Sequence, residues 1–382
     1  MGGSRIFTQR TAQQFLRSSM IDRRGFLAGT AALAGATLLP TGGAFAQADG
    51  IPEFSGFPER LKGTGQLRLA TAGGALAEAE HKAFIDYFKE HSGIEVIETE
   101  GFSTAQIKAQ VDTQSVQWDV VGLGRGNILP LVKQGTYFED IDYSVVDWAG
   151  VEETDRKKES VAFFTLGTVM CYRTDAFQEQ PSSWADFFDT ARFPGPRNWM
   201  SGSMGIAPQL EGALIADGVP MDQLYPLDID RALKSLDRIK DDISVFWSSG
   251  AQSAQLMAEN ETVLGTAWNG RVSPLVADGL PVAISWSGAM FEQEHLVAIK
   301  GTPNYENAMK FIAFALSPEA QARFSMFIPY GYVNTEAAAL VPEARKAILP
   351  SAHLSEGFWN NPEWWGENRD KAIEMWAEWM LT

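Results

Sequence analysis

Four histidines (His81, His91, His295 and His353) and one cysteine, Cys171, are the soft nucleophiles and metal ligands of this 382-residue chain. Zinc hydrolysis needs two histidines one helical turn apart, and acyl transfer needs a nucleophile beside a base. Here the groups are scattered. There is no His-Glu-x-x-His and no phosphate-cradling glycine-lysine loop. Ser201-Gly202-Ser203-Met204-Gly205 misses the nucleophile elbow Gly-x-Ser-x-Gly at its first position. His81, His91 and His353 read as surface groups. His295, between Glu294 and an apolar strand, is placed to line a cleft. Cys171 lies in an apolar run and reads as a small core residue. A carboxylate pair assembled by the fold stays open, because such partners need not be close in sequence. The expectation is a protein without catalysis, cofactor or metal.

Composition narrows the classes further. Hydrophobic residues make up 45% of the chain, enough to fill real cores. The net charge of −17 argues against a nucleic-acid partner, since phosphate binding is driven by Lys and Arg. One cysteine excludes a disulfide framework. Twelve tryptophans, all beyond residue 117, are the unusual feature.

Residues 1–46 read as an export address. Asp22-Arg23-Arg24-Gly25-Phe26-Leu27 precedes an apolar run ending at Leu39, and Ala44-Phe45-Ala46 supplies small residues at the −3 and −1 positions. The run is too short to span a hydrocarbon core, which takes about 20 residues. The paired arginines before a mild core resemble a twin-arginine signal. Asp22 and Ala28 depart from that pattern and leave the Sec route open. Cleavage there removes five arginines and one acid, shifting the net charge to −21.

The remaining chain must supply the elements that position a site. Residues 47–64 read as a linker. Gln66–Ala70 alternates like a strand, Gly73-Gly74 allows a turn, and a helix follows from about Ala75 to its glycine stop at Gly93. Further strands are expected at 94–97, 118–121, 161–172, 263–268, 282–286 and 296–299. Helices are expected at 103–115, 128–134, 209–216, 229–239, 252–259, 305–316 and 367–379. This alternation predicts an α/β fold with a largely parallel sheet, in which glycine-rich turns at strand ends, such as Gly73, bring backbone NH groups near a ligand. A dinucleotide loop fails at Asn127, where a third glycine belongs.

Several collinear segments resemble the solute-binding proteins of ABC importers, of the spermidine/putrescine-binding type. They are Gly73-Gly74; Trp118-Asp119-Val120-Val121; Tyr172-Arg173-Thr174-Asp175-Ala176-Phe177; Pro181-Ser182-Ser183-Trp184-Ala185-Asp186; Phe193-Pro194-Gly195-Pro196-Arg197; Trp268-Asn269-Gly270; and Tyr330-Gly331-Tyr332-Val333-Asn334. The resemblance implies a two-lobed periplasmic-binding-protein fold (type II) with a ligand cleft between lobes. Residues 65–165 and 295–335 would form lobe 1, and 166–294 and 336–382 lobe 2. It implies a monomer that hands a small solute to membrane permease subunits, with an ATPase on the far side.

By the same resemblance, Trp268 packs on the ligand's methylenes, Glu294 pairs with an amine, and Tyr330 and Asn360 line the cleft. Trp286 and Phe291 are further candidates. Arg125 stands where polyamine binders carry an aromatic, and Ser201 and Ser203 lie where they supply acids. A guanidinium can grip a carboxylate bidentately. The expected solute is therefore an amine, either a polyamine or, with Arg125 at one end, an ω-amino acid. Two alternatives remain. One is an Fe(III)-binding protein of the same fold, weakened by Gly331 between Tyr330 and Tyr332. The other is an exported hydrolase with paired carboxylates.

Overall fold

A computed structural model of the protein describes residues 50–202 and 209–382. Residues 1–46, expected to be an export address, and Ser203 lie outside these residues. Strand β1 (Gln66–Thr71) leads to Gly73, which turns at φ +72° into α1 (Gly74–Glu80). A Cβ on Gly73 would fall 2.1 Å from the Glu100 carboxylate, so both the backbone angle and the space demand glycine. One π turn, His81–Ile85, joins α1 to α2 (Asp86–His91). β2 (Glu95–Glu100) pairs parallel to β1. The Ser103 hydroxyl accepts the Gln106 amide and starts α3 (Thr104–Asp112). β3 (Val120–Gly124) and α4 (Arg125–Gln134) follow.

β4 (Val161–Arg173) is buried almost throughout, as expected of a central strand. Beyond it come α5 (Trp184–Phe188), β5 (Arg197–Met200), α6 (Leu210–Ala216), α7 (Ile229–Leu236), β6 (Ile243–Trp247), α8 (Gly250–Ala258), β7 (Leu264–Trp268) and α9 (Asn269–Ala277). β8 (Val282–Ala298) then runs for 17 residues. The chain ends with α10 (Tyr305–Ala315), α11 (Pro318–Phe327), β9 (Gly331–Tyr332), α12 (Glu343–Lys346), β10 (Phe358–Trp359) and α13 (Pro362–Met380).

All strands share one sheet, ordered β2-β1-β3-β8-β4-β7-β5-β6, with β10 added to β8 and β9 to β4. β4 and β8 are antiparallel from the Val161/Leu296 pair to the Arg173/Val282 pair, and they carry the sheet from one lobe to the other. The register slips near Thr168, opposite Gly288, whose φ is +69°. There Trp184 donates its indole N–H to the Gly288 carbonyl at 2.9 Å. Each lobe has its own core. One gathers Leu67, Phe84, Phe163, Phe311 and Phe324. The other gathers Trp184, Phe187, Trp199, Leu214 and Leu236, and α13 adds Trp365, Trp376 and Trp379 to it. Ahead of α13, Ala337, Val341 and Leu349 pack on Ala322 of α11. The architecture is the two-lobed α/β type that the sequence predicts.

The sheet is mixed rather than largely parallel, since the central β3/β8, β8/β4 and β4/β7 ladders are antiparallel, and β5, β6, β9, β10 and α12 fall where no element was expected. The strands expected at 282–286 and 296–299 are one continuous strand, because the polar run Glu292-Gln293-Glu294-His295 between them is strand facing a cleft rather than a loop. The α9 helix after Gly270 was not expected. Among the described residues no helix is long and apolar enough to cross a membrane.

Candidate functional site

A cleft of about 340 Å³ opens where β3, β4, β7 and β8 meet. Its aromatic wall is Trp268, Tyr330, Phe102 and Phe164. The Trp268-Asn269-Gly270 segment builds this wall. Asn269 is fully buried; its side-chain oxygen accepts the Gly167 amide at 3.0 Å and its amide donates to the Pro329 carbonyl at 2.5 Å. It thereby locks the end of β7 to the crossing strand β4 and to the segment carrying Tyr330. Gly270 lets the Tyr330 ring lie on the backbone, where a Cβ would come within 2.4 Å of it. Tyr330 stacks on Phe164 at 5.0 Å between centroids. Burial pushes its phenol up to about 12, so it stays neutral. Trp268 packs edge-on against Trp247 at 5.6 Å.

Two carboxylates, Glu292 and Glu294 of β8, enter the cleft. Gly124 pairs with Glu294 across the β3/β8 ladder, and Gly122 lies two residues back. Cβ positions on Gly122 and Gly124 would lie 3.4 and 3.7 Å from the Glu294 oxygens, so the carboxylate lies directly over the glycine-rich end of β3. Burial, then the charges of Glu292 and Glu80, push Glu294 up to about 8; burial and Glu211 push Glu292 up to about 7. Two guanidiniums share the cleft, Arg271 from α9 and Arg369 from α13. Arg271 reaches toward lobe 1, where its Nη1 would lie 3.8 Å from a Cβ on Gly74. Arg369 donates to the Asn127 side chain of α4. The Trp268 indole N–H and the Arg271 Nε are buried without hydrogen-bond partners, leaving unused donor capacity in this wall. One cleft thus holds anionic, cationic and aromatic groups together.

The structure brings Trp268, Glu294 and Tyr330 into this cleft. Arg125 and Asn360 instead line an adjoining pocket of about 190 Å³ that meets the cleft at Glu292. There Arg125 pairs with Glu159 at 2.5 Å and donates to Ser160, while Asn360 donates to Glu292 at 3.3 Å. His295 lines the same pocket, and burial beside Arg125 and Lys157 lowers it to about 3, which keeps the ring neutral. Gly73 is the turn before α1, next to Ala72 of the cleft wall. Trp286 stacks on His353 at 4.3 Å, and Phe291 is fully buried against Trp286; neither lines the cleft. Sequence reasoning missed Arg271, Arg369 and Glu292. Arg271 directly follows the Trp-Asn-Gly segment, and Glu292 is two residues from Glu294 on the same strand; both were findable. Arg369 had no local signal, because its place depends on where α13 docks.

The family model for bacterial extracellular solute-binding proteins matches residues 83–351. The chain belongs to this family. Members are binding proteins rather than enzymes. The chain is 34% identical over 323 residues to the gamma-aminobutyric acid-binding protein of Pseudomonas aeruginosa PAO1, a match spanning 81% of this chain and 90% of that one. It is 26% identical over 209 residues to the spermidine/putrescine-binding periplasmic protein of Salmonella typhimurium LT2, spanning 53% of this chain and 58% of that one. A solved structure of the Atu4243 GABA receptor superposes with a TM-score of 0.77 at 37% identity, covering 82% of this chain and 97% of that one.

Proposed function

We propose that this protein is the periplasmic capture component of an ABC importer and that its solute is an ω-amino acid of the 4-aminobutyrate (GABA) class. The observation that carries the reading is the presence of two carboxylates and two guanidiniums in the lining of one aromatic-walled cleft. The ammonium lies beside Glu294 and Glu292, where the faces of Trp268 and Tyr330 add cation–π attraction. The methylenes lie along the rings. The carboxylate is gripped by Arg271 and Arg369, for which bidentate pairing is strong and directional. A diamine would bring its second ammonium against those guanidiniums. The GABA-binding relatives support this reading. Closure of the lobes over the solute reports occupancy to permease subunits. The protein acts as a monomer without catalysis, exported by the twin-arginine route through residues 1–46, with lobe boundaries near residues 165 and 295.

Calorimetry on the mature protein tests the ligand class with β-alanine, GABA, 5-aminovalerate, putrescine and spermidine. GABA or its one-carbon homologue is expected to bind at least 100-fold more tightly than either polyamine. Putrescine binding more tightly than every ω-amino acid refutes the reading.

A further inference from the structure

Behind Glu294 lies a second space. A cavity of about 30 Å³, room for one water, is lined by Thr71, Glu80, Val121 and Gly122 and closed by Phe84 and Phe163. Gly122 is a wall of both this cavity and the solute cleft. Glu80 therefore stands one glycine away from the space the solute would fill, and its charge acts on Glu294.

Glu80, at the end of α1, faces Glu98 of β2, which is itself held by His81 at 2.8 Å and Lys89 at 3.1 Å. Glu294 faces Glu80, Glu292 and Tyr330, with Arg271 and Arg369 in the same cleft. Among the described residues Glu292 accepts only the Asn360 amide, and it faces Glu211, which accepts from Tyr225 and Trp365. On its pocket side Glu292 meets Arg125, Lys157, His295 and Glu363, with Arg125 already paired to Glu159. Among the described residues, no hydrogen bond or ion pair reaches Glu80 or Glu294.

Burial and mutual repulsion within this row of three carboxylates both favour the protonated form, and among the described residues neither guanidinium of the cleft forms an ion pair with Glu294. Glu80 and Glu294 are accordingly pushed up to about 8 and Glu292 to about 7, so near neutral pH the empty site holds protons. We propose that solute capture is linked to proton release: the ammonium entering beside Glu294 and Glu292 displaces a proton held by the Glu80–Glu294–Glu292 row, with Glu80 as the proton partner of Glu294 behind Gly122. The O–H bond of the carboxyl breaks, the proton leaves to solvent, and the ammonium balances the carboxylate so formed, while the solute's own carboxylate is balanced by the guanidiniums. This rests on the reading of the solute as an ω-amino acid.

The linkage is read by titrating GABA into the wild-type protein at pH 7 in phosphate and in Tris. The two buffers differ widely in ionisation enthalpy, so the difference in heat counts protons. A release of about one proton per GABA is expected, and Glu80→Gln is expected to bind GABA while releasing fewer. Heat with no buffer dependence overturns the linkage and leaves the ligand class standing. No heat in either buffer overturns the ligand class and the linkage together. An unchanged count in Glu80→Gln overturns the role of Glu80. Should that variant not fold, wild-type affinity from pH 6 to pH 8 decides: a rise of about tenfold per unit supports a one-proton release, and a flat profile overturns it.

Discussion

Replacing Glu294 by glutamine keeps the shape of the side chain and removes its charge. In the wild type the carboxyl is pushed up to about 8. Ionising it at pH 7 for an incoming ammonium therefore costs about 1.4 kcal/mol. A hydrogen bond to a charged group contributes about 1.5–3 kcal/mol. The net contribution at pH 7 is then about 0–1.6 kcal/mol, at most a fifteenfold or so effect on affinity. At pH 9 the carboxylate is already ionised, while an alkyl ammonium titrates only above about pH 10. The full interaction is then exposed, and Glu294→Gln should cost about 10- to 150-fold. Glu80 and Glu292 are present in both proteins, so the ratio of wild-type to variant affinity reads the charge at position 294 together with its coupling to them. Calorimetry with GABA at pH 7 and pH 9 is expected to show that ratio growing about tenfold. A ratio that stays constant, or shrinks as pH rises, refutes the assignment of Glu294 as the group that accepts the amine.

Arg271→Ala and Arg369→Ala should each weaken GABA binding by about 10- to 100-fold, the range of a charged hydrogen bond. Arg125→Ala, whose guanidinium is engaged by Glu159, should change it less than about threefold; calorimetry on the three variants orders the arginines. Gly270→Ala forces a methyl against Tyr330 and Ile328, so thermal melting should show a loss of about 1–3 kcal/mol. The ligand-free protein should melt lower at pH 9 than at pH 7. Over that window Glu80 and Glu294, at about 8, and Glu292, at about 7, bind protons in the folded chain but not in the unfolded one, so stability falls as pH rises. Circular dichroism melts check this, with Glu294→Gln expected to flatten the slope.

The alternation of strands and helices was legible in the sequence because caps and glycine stops are local. Ser103 and Ser183 start their helices as their hydroxyls foretell, and Gly93 ends the first helical stretch at φ +78°. The central part of β8 was not legible. Its Glu-Gln-Glu-His run has the composition of a loop, and only the cleft beside it explains why polar residues alternate with a buried ladder. Among the site residues, Trp268, Glu294 and Tyr330 were reached through their motifs. A cation opposite the amine was inferred from Arg125, yet the guanidiniums in the cleft arrive from α9 and α13. Arg369 lies 98 residues beyond Arg271 in sequence, and its approach is set by Trp365, Trp376 and Trp379 anchoring α13 in the second core. No pattern near Arg369 encodes that docking.

The crossing strand β8 has a consequence for how such a protein changes its diet. Glu292 and Glu294 lie on the same strand that joins the two lobes through the irregular stretch at Gly288. The cleft carboxylates and the connection between the lobes are one piece of backbone. A substitution there that admits a different solute therefore also falls on the strand that connects the lobes. Arg271 and Arg369, by contrast, are carried on helices α9 and α13, so the groups that meet the solute's acidic end lie outside the connecting strand.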